Sequence, residues 1–376
     1  MENPFLAFFI FILILFFYVH ITAQWKTSND LEIYESDYES PTQLQEVCAV
    51  KQPVVFKFQK EPVANAFFEK CQSAKFEKYD NIDVRIKDRT DYAVAVKDRQ
   101  DYNKSTGSKN TARQDLAVDY VPLSFRSARR LMMTDTNAKY FSEKNQTFLE
   151  ESGLDRLSHS LDVLLKPPLS AYTKYDILLG SPLVTTPLRY HLESHKFIAV
   201  SRGKITVKLC PPKYSKIIPT NRDYENYEFW SSLNHGSNSL KDKELLQKIK
   251  FLDIEVNSGD VLFLPPYWWY SITFSGDPET TVASFVYDVV MNIAAQSKHW
   301  GLYYLQQNNI KNRPAKTIVL SEDGDQTSQS QTSTSSDEVV NSVMINSNEI
   351  EPTQPVKREI VTNAGTYVTG SLPEIS

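Results

Sequence analysis

Between residues 196 and 287 the chain alternates apolar and polar side chains in short runs, each closed by a turn. That period dictates the fold class, because it suits strands with one buried face. Residues 196–209 read KFIAVSRGKITVKL, two such runs meeting at Arg202-Gly203, which is a hairpin pattern. In the second run Ile205, Val207 and Leu209 share one face, and Lys204, Thr206 and Lys208 share the other. Residues 251–256, 261–264, 270–274 and 281–287 continue the pattern, with turns at Ser258-Gly259-Asp260 and Gly276-Asp277-Pro278. Many short strands at this spacing predict a sandwich or a barrel. Residues 54–58 add a strand after Pro53, while 125–151 (with Leu131, Met132 and Met133) and 299–309 have helical character.

The two ends behave differently. Residues 4–23 (PFLAFFIFILILFFYVHITA) carry no Asp, Glu, Lys or Arg, and about 20 residues of helix span a bilayer core of roughly 30 Å. Tyr18 and Trp25 suit the interface. A cleaved signal peptide is the rival, with Ile21-Thr22-Ala23 as the cleavage site. The length of the run and the lack of Lys or Arg before it favour an uncleaved, single-pass anchor. Lys26, the only nearby cation, favours a cytoplasmic C-terminal domain. Two sequons, at Asn103 and Asn145, would matter only in the opposite topology. From Ser321 the run SEDGDQTSQSQTSTSSDE has no aromatic residue and reads as a disordered tail. The expected organisation is an anchor over 1–25, one domain over 26–312 and a low-complexity tail over 313–376.

Composition excludes several functions. With 41 Lys+Arg against 46 Asp+Glu, the net charge of -5 offers no positive field for nucleic acid. Three cysteines without a CxxC pair argue against a disulfide scaffold or a cysteine zinc site. GxSxG, GxxxxGK and GxGxxG are all absent.

Two segments are more specific. Residues 185–212 read TTPLRYHLESHKFIAVSRGKITVKLCPP, and residues 256–272 read VNSGDVLFLPPYWWYSI. Together they resemble the JmjC-type branch of the cupins, asparaginyl and lysyl hydroxylases that use Fe(II) and 2-oxoglutarate. Their motifs run TPxHxD…NF…GxKxxxLxPP and GDVLxIPxxWWH. The resemblance covers roughly residues 53–292 and implies a double-stranded β-helix (a cupin or jelly-roll barrel) with flanking helices. LQEVCAVKQPVVFKF, DYENYEF and MNI…LQQNNI are also similar to stretches of membrane-anchored cupin-like proteins from large DNA viruses and marine phages. That likeness implies a viral membrane or virion setting.

In that family HxD and a distal His hold iron from inside the barrel. Arg189 stands where the resemblance expects the first His, His191 where it expects the carboxylate, and Tyr270 where it expects the distal His. A guanidinium has no lone pair to offer a metal. The lysine that would anchor 2-oxoglutarate is replaced by Ile205. Lys204, one residue earlier, should face outward, and Thr186 matches the family's threonine. The expectation is a degenerate site in a binding or structural protein, without a cofactor, that meets a protein partner or a small anionic ligand. One alternative is a non-standard Fe(II)/2-oxoglutarate hydroxylase using His191, Glu193 and His195, which an unbroken strand would put on one face. The other is a barrel that binds a small anion through Arg189, with Thr186 and Lys204 as further ligand candidates. If Arg189 points inward it needs an anionic partner, for which Glu193 is the candidate. Trp268 and Trp269 are expected to pack the sheet, and 223–230 (DYENYEFW) to form a packed loop.

Overall fold

The structure, a computed structural model, describes residues 4–97, 117–233, 240–309 and Ile318. The segment 98–116 and the expected tail beyond Ile318 lie outside the described residues.

Among the described residues there are fifteen strands: β1 (Tyr34–Asp37), β2 (Val54–Lys57), β3 (Asp83–Asp88), β4 (Val121–Ser124), β5 (Tyr140–Ser142), β6 (Ser170–Gly180), β7 (Arg189–Tyr190), β8 (His195–Arg202), β9 (Lys204–Cys210), β10 (Thr220–Asp223), β11 (Glu228–Ser231), β12 (Leu252–Asn257), β13 (Asp260–Leu264), β14 (Trp269–Phe274) and β15 (Thr281–Val289). They form a sheet in the order β1-β2-β13-β8-β15-β6-β5-β3-β4 and a second in the order β10-β11-β7-β14-β9-β12. The hairpin expected at Arg202-Gly203 joins β8 to β9, but each strand pairs elsewhere and so belongs to a different sheet. Gly203 makes this crossing with φ +74, a conformation that side chains disfavour. A Cβ there would come within 2.5 Å of Thr280 Oγ1.

The sheets face each other as a double-stranded β-helix. Ile198, Val200, Leu262, Leu264 and Val282 of the first sheet pack against Ile205, Val207, Leu209, Ile272 and Phe274 of the second. The alternation read in β9 therefore holds: Ile205, Val207 and Leu209 are buried, and Lys204 is exposed. The larger sheet is also buried on its other face. There Phe197, Ala199, Phe263 and Phe285 meet Phe67, Phe76, Phe125 and Phe148 from flanking helices and turns. Asp162 ties these layers by accepting hydrogen bonds from Tyr175 (2.6 Å) and Tyr287 (2.7 Å). The outer face of the smaller sheet packs Trp269 with Leu188, Cys210, Ile218 and Ile249.

The stretch 125–151 is two helices, Phe125–Thr134 and Gln146–Ser152, separated by β5. The sequence 223–230 is not a free loop: it closes a hairpin between β10 and β11, in which Asp223 and Glu228 are paired and buried. Helix α1 (Pro4–Gln24) is apolar and exposed from Phe5 up to its last turn; it is long enough to be either a membrane anchor or a signal sequence. Lys51 Nζ donates to the Ala23 carbonyl at 2.8 Å and the Gln24 carbonyl at 3.3 Å, satisfying groups that the end of α1 leaves open. Asn145 is buried, with its amide donating to Ser142 and Ile177 and its Oδ1 accepting from Arg85 N–H. It is not presented as a glycan acceptor, and Asn103 lies outside the described residues.

Candidate functional site

Strand β7 places Arg189 opposite Tyr270 of β14 and Trp230 of β11, so its side chain enters the space between the sheets. There it meets Glu143, which follows β5 of the opposite sheet. Nη1 donates to Oε1 and Nη2 to Oε2, both at 2.7 Å, a bidentate pair with both side chains buried. Burial opposes the charge on Arg189, but Glu143 more than offsets it. Burial would likewise raise the Glu143 carboxyl, yet Arg189 holds it below the ordinary range. The partner expected for Arg189 was Glu193. That residue instead turns back to accept a hydrogen bond from Leu192 N–H at 3.1 Å.

A second charged group bridges the sheets beside the first. Lys87 of β3, fully buried, donates to both oxygens of Glu228 of β11, at 2.9 and 2.8 Å. Lys144 reaches Glu228 Oε1 at 2.6 Å, and the Tyr92 and Tyr120 hydroxyls also donate to this carboxylate. Lys144 and Lys87 hold Glu228 well below the usual carboxylate range, against its burial. None of Glu143, Lys87, Lys144 or Glu228 is marked in the sequence, because their partners come from distant segments and opposite sheets.

Tyr270 faces the same interior. Lys196 Nζ donates to its hydroxyl at 3.0 Å, and the Arg189 guanidinium carbon lies 5.5 Å from its ring centre. Lys196, another residue unmarked in the sequence, is inward because it shares the face of Ile198 and Val200 on β8. His191 stands 5.9 Å, ring to ring, from Tyr270. It is buried, and neither ring nitrogen makes a well-formed hydrogen bond, although the Leu264 backbone lies near enough to influence it. Burial, then Lys196, keeps this imidazole neutral by lowering its pKa well below the usual histidine value.

The face expected to unite His191, Glu193 and His195 does not form. The chain leaves β7 after Tyr190, bends through Glu193-Ser194, and re-enters a strand only at His195. His195 consequently points to the helical side, its ring tilted against Phe197 and Phe263, while His191 lies in the interior. Among the described residues no three His, Cys, Asp or Glu side chains converge as a metal site would require. Lys204 is also removed from the interior, paired on the surface with Glu255 at 2.8 Å. Thr186 lies between the strands, but its hydroxyl accepts from Ile272 N–H at 2.9 Å and so serves the backbone. A surface groove of about 780 Å³ lies elsewhere, between the helices around Phe67, Tyr79 and Leu157.

Burial, with a smaller contribution from Lys51, lowers the His195 pKa from 6.5 to about 4. Between those values the unfolded chain takes up a proton that the folded one refuses. Stability is thus lost as pH falls, by about 1.4 kcal/mol per unit. Asp288 acts in the opposite sense, since burial raises its pKa to about 7 and the folded form holds a proton that the unfolded form releases. The clean measurement is therefore a difference. Urea titrations should show wild type losing stability relative to His195→Gln as pH is lowered from 6.5 to 4, and a constant difference would refute the assignment.

Two facing sheets with an interior flanked by β7, β8 and β14 define a cupin-type barrel. Comparison with family models agrees: residues 40–294 match the cupin-like domain. The chain belongs to the cupin-like domain family. Comparison with curated proteins found no match.

Proposed function

We propose that this chain is a membrane-anchored, non-enzymatic member of the cupin-like family, whose barrel serves binding or structure. The supporting observation is the bidentate Arg189–Glu143 pair, which fills an iron-ligand position with a committed cation and bridges the sheets. The residues at the three ligand positions do not fit Fe(II). Arg189 has no donor pair, and Tyr270 receives a proton donor from Lys196. His191 alone keeps a neutral nitrogen. The position expected to hold 2-oxoglutarate is the apolar Ile205, and Lys204 is outside.

The reading of Arg189 as an anion receptor has less support, because Glu143 already occupies both terminal guanidinium nitrogens, leaving only Nε without a partner. A hydroxylase using His191, Glu193 and His195 has less still, because those side chains diverge. The proposed setting is a membrane with the domain on its cytoplasmic side, by the Lys26 argument. The viral resemblance extends this to a virion or viral membrane component. A thermal melt of the full chain in detergent tests the metal-free reading. Anaerobic Fe(II), alone or with 2-oxoglutarate, should leave the melting temperature unchanged. A saturable rise would show binding to the native state and overturn the proposal.

A further inference from the structure

The helix Val290–Ala295 follows β15 and packs against the end of α1. Its only polar side chain, Asn292, is turned inward, donating to Leu192 O at 2.9 Å and Asp288 Oδ1 at 2.7 Å. Every other residue of this helix is apolar, and Val290 is 51% exposed. Val290 N–H donates to the carbonyl of Leu169, which is itself 80% exposed. Across the junction, Trp25 Nε1 donates to Ala295 O at 3.3 Å while Trp25 remains 53% exposed. Trp25, Leu169 and Val290 are thus exposed apolar side chains on segments tied together at the foot of α1, an apolar patch that Lys26 and Lys298, both exposed, adjoin in sequence.

We propose that this patch rests in the boundary between headgroups and acyl chains of the bilayer that α1 enters, holding the domain against the membrane surface. The inference depends on α1 being an anchor, and it goes further by fixing how the domain is oriented. The span Phe5–Gln24 is 20 residues, about 30 Å of helix, so Gln24 emerges at the boundary. Only the last turn of α1 is partly covered, so a helix packed there lies at that level. The junction is not a loose linker, because Lys51 caps the end of α1 and Trp25 is bonded to Ala295. Tryptophan and leucine at an interface, with lysines reaching anionic headgroups, are the chemistry this boundary favours.

The test uses the full chain in vesicles of phosphatidylcholine and phosphatidylglycerol. Single cysteines carry a nitroxide in Phe11→Cys, Leu169→Cys, Val290→Cys and Leu183→Cys, while native Cys48, Cys71 and Cys210 are buried. Leu183 is the aqueous control: it is 64% exposed, and its N–H donates to Ser275 O, just beyond the far end of β14. Power saturation with oxygen and a nickel chelate should give lipid-like accessibility at Phe11→Cys, Leu169→Cys and Val290→Cys, and aqueous accessibility at Leu183→Cys. Aqueous values at 169 and 290 with a lipid value at 11 would overturn the proposal and leave the anchor standing. An aqueous value at 11 as well would remove the anchor reading and the proposal together. Low accessibility to both agents at 169 and 290 would place a second protein copy on the patch and overturn it.

Discussion

Replacing Glu143 by alanine is expected to cost about 3–5 kcal/mol, because it strands a buried guanidinium. Arg189 then keeps its charge without a carboxylate, beside the ring of Tyr270 and the ammonium of Lys196. Folded domains are stable by only about 5–15 kcal/mol, so this loss is a large fraction of the total. The double variant Glu143→Leu/Arg189→Met removes both charges and keeps apolar volume, and should recover most of the loss. Denaturant titration of the four forms measures this as a double-mutant cycle. A cost below about 1 kcal/mol for Glu143→Ala would mean that the pair is exposed to water or not formed.

The second large effect is expected at Trp268. It is fully buried in the core between the sheets, and its Nε1 donates to the Ser28 carbonyl at 3.1 Å. Trp268→Ala should cost about 3–5 kcal/mol through the lost burial and the cavity left behind. Trp268→Phe retains much of the packing and loses the hydrogen bond, for which about 1 kcal/mol is expected. Ser28 follows α1 closely, so hydrogen exchange around residues 26–30 should rise in both variants. Unchanged exchange there would show that Trp268 does not secure the segment joining α1 to the barrel.

The strands β9 and β12 were legible because each buries one face and leaves a period of two. Strand β8 hides its orientation. Ile198 and Val200 fill the barrel while Phe197 and Ala199 lie under the helices, so both faces are apolar. Nothing local then says whether Lys196 or His195 points inward. The bend at Glu193-Ser194 removed the shared face expected for His191, Glu193 and His195. The need of an inward Arg189 for an anion followed from the chemistry of the guanidinium. The identity of that anion did not, because Glu143 is 46 residues away and arrives on the other sheet. Sequence proximity suggested Glu193, whose side chain is held by its own backbone. Lys87 and Glu228 were obscured for the same reason: their pairing is a property of two sheets meeting.

On the proposed reading, the interior around Arg189, His191 and Tyr270 does not support iron-dependent oxidation. The direct measurement is metal analysis of the full chain, purified from iron-replete cells, combined with an assay of succinate released from 2-oxoglutarate under air. The expected result is substoichiometric iron and no succinate above the protein-free background. Stoichiometric iron with sustained succinate release would contradict it.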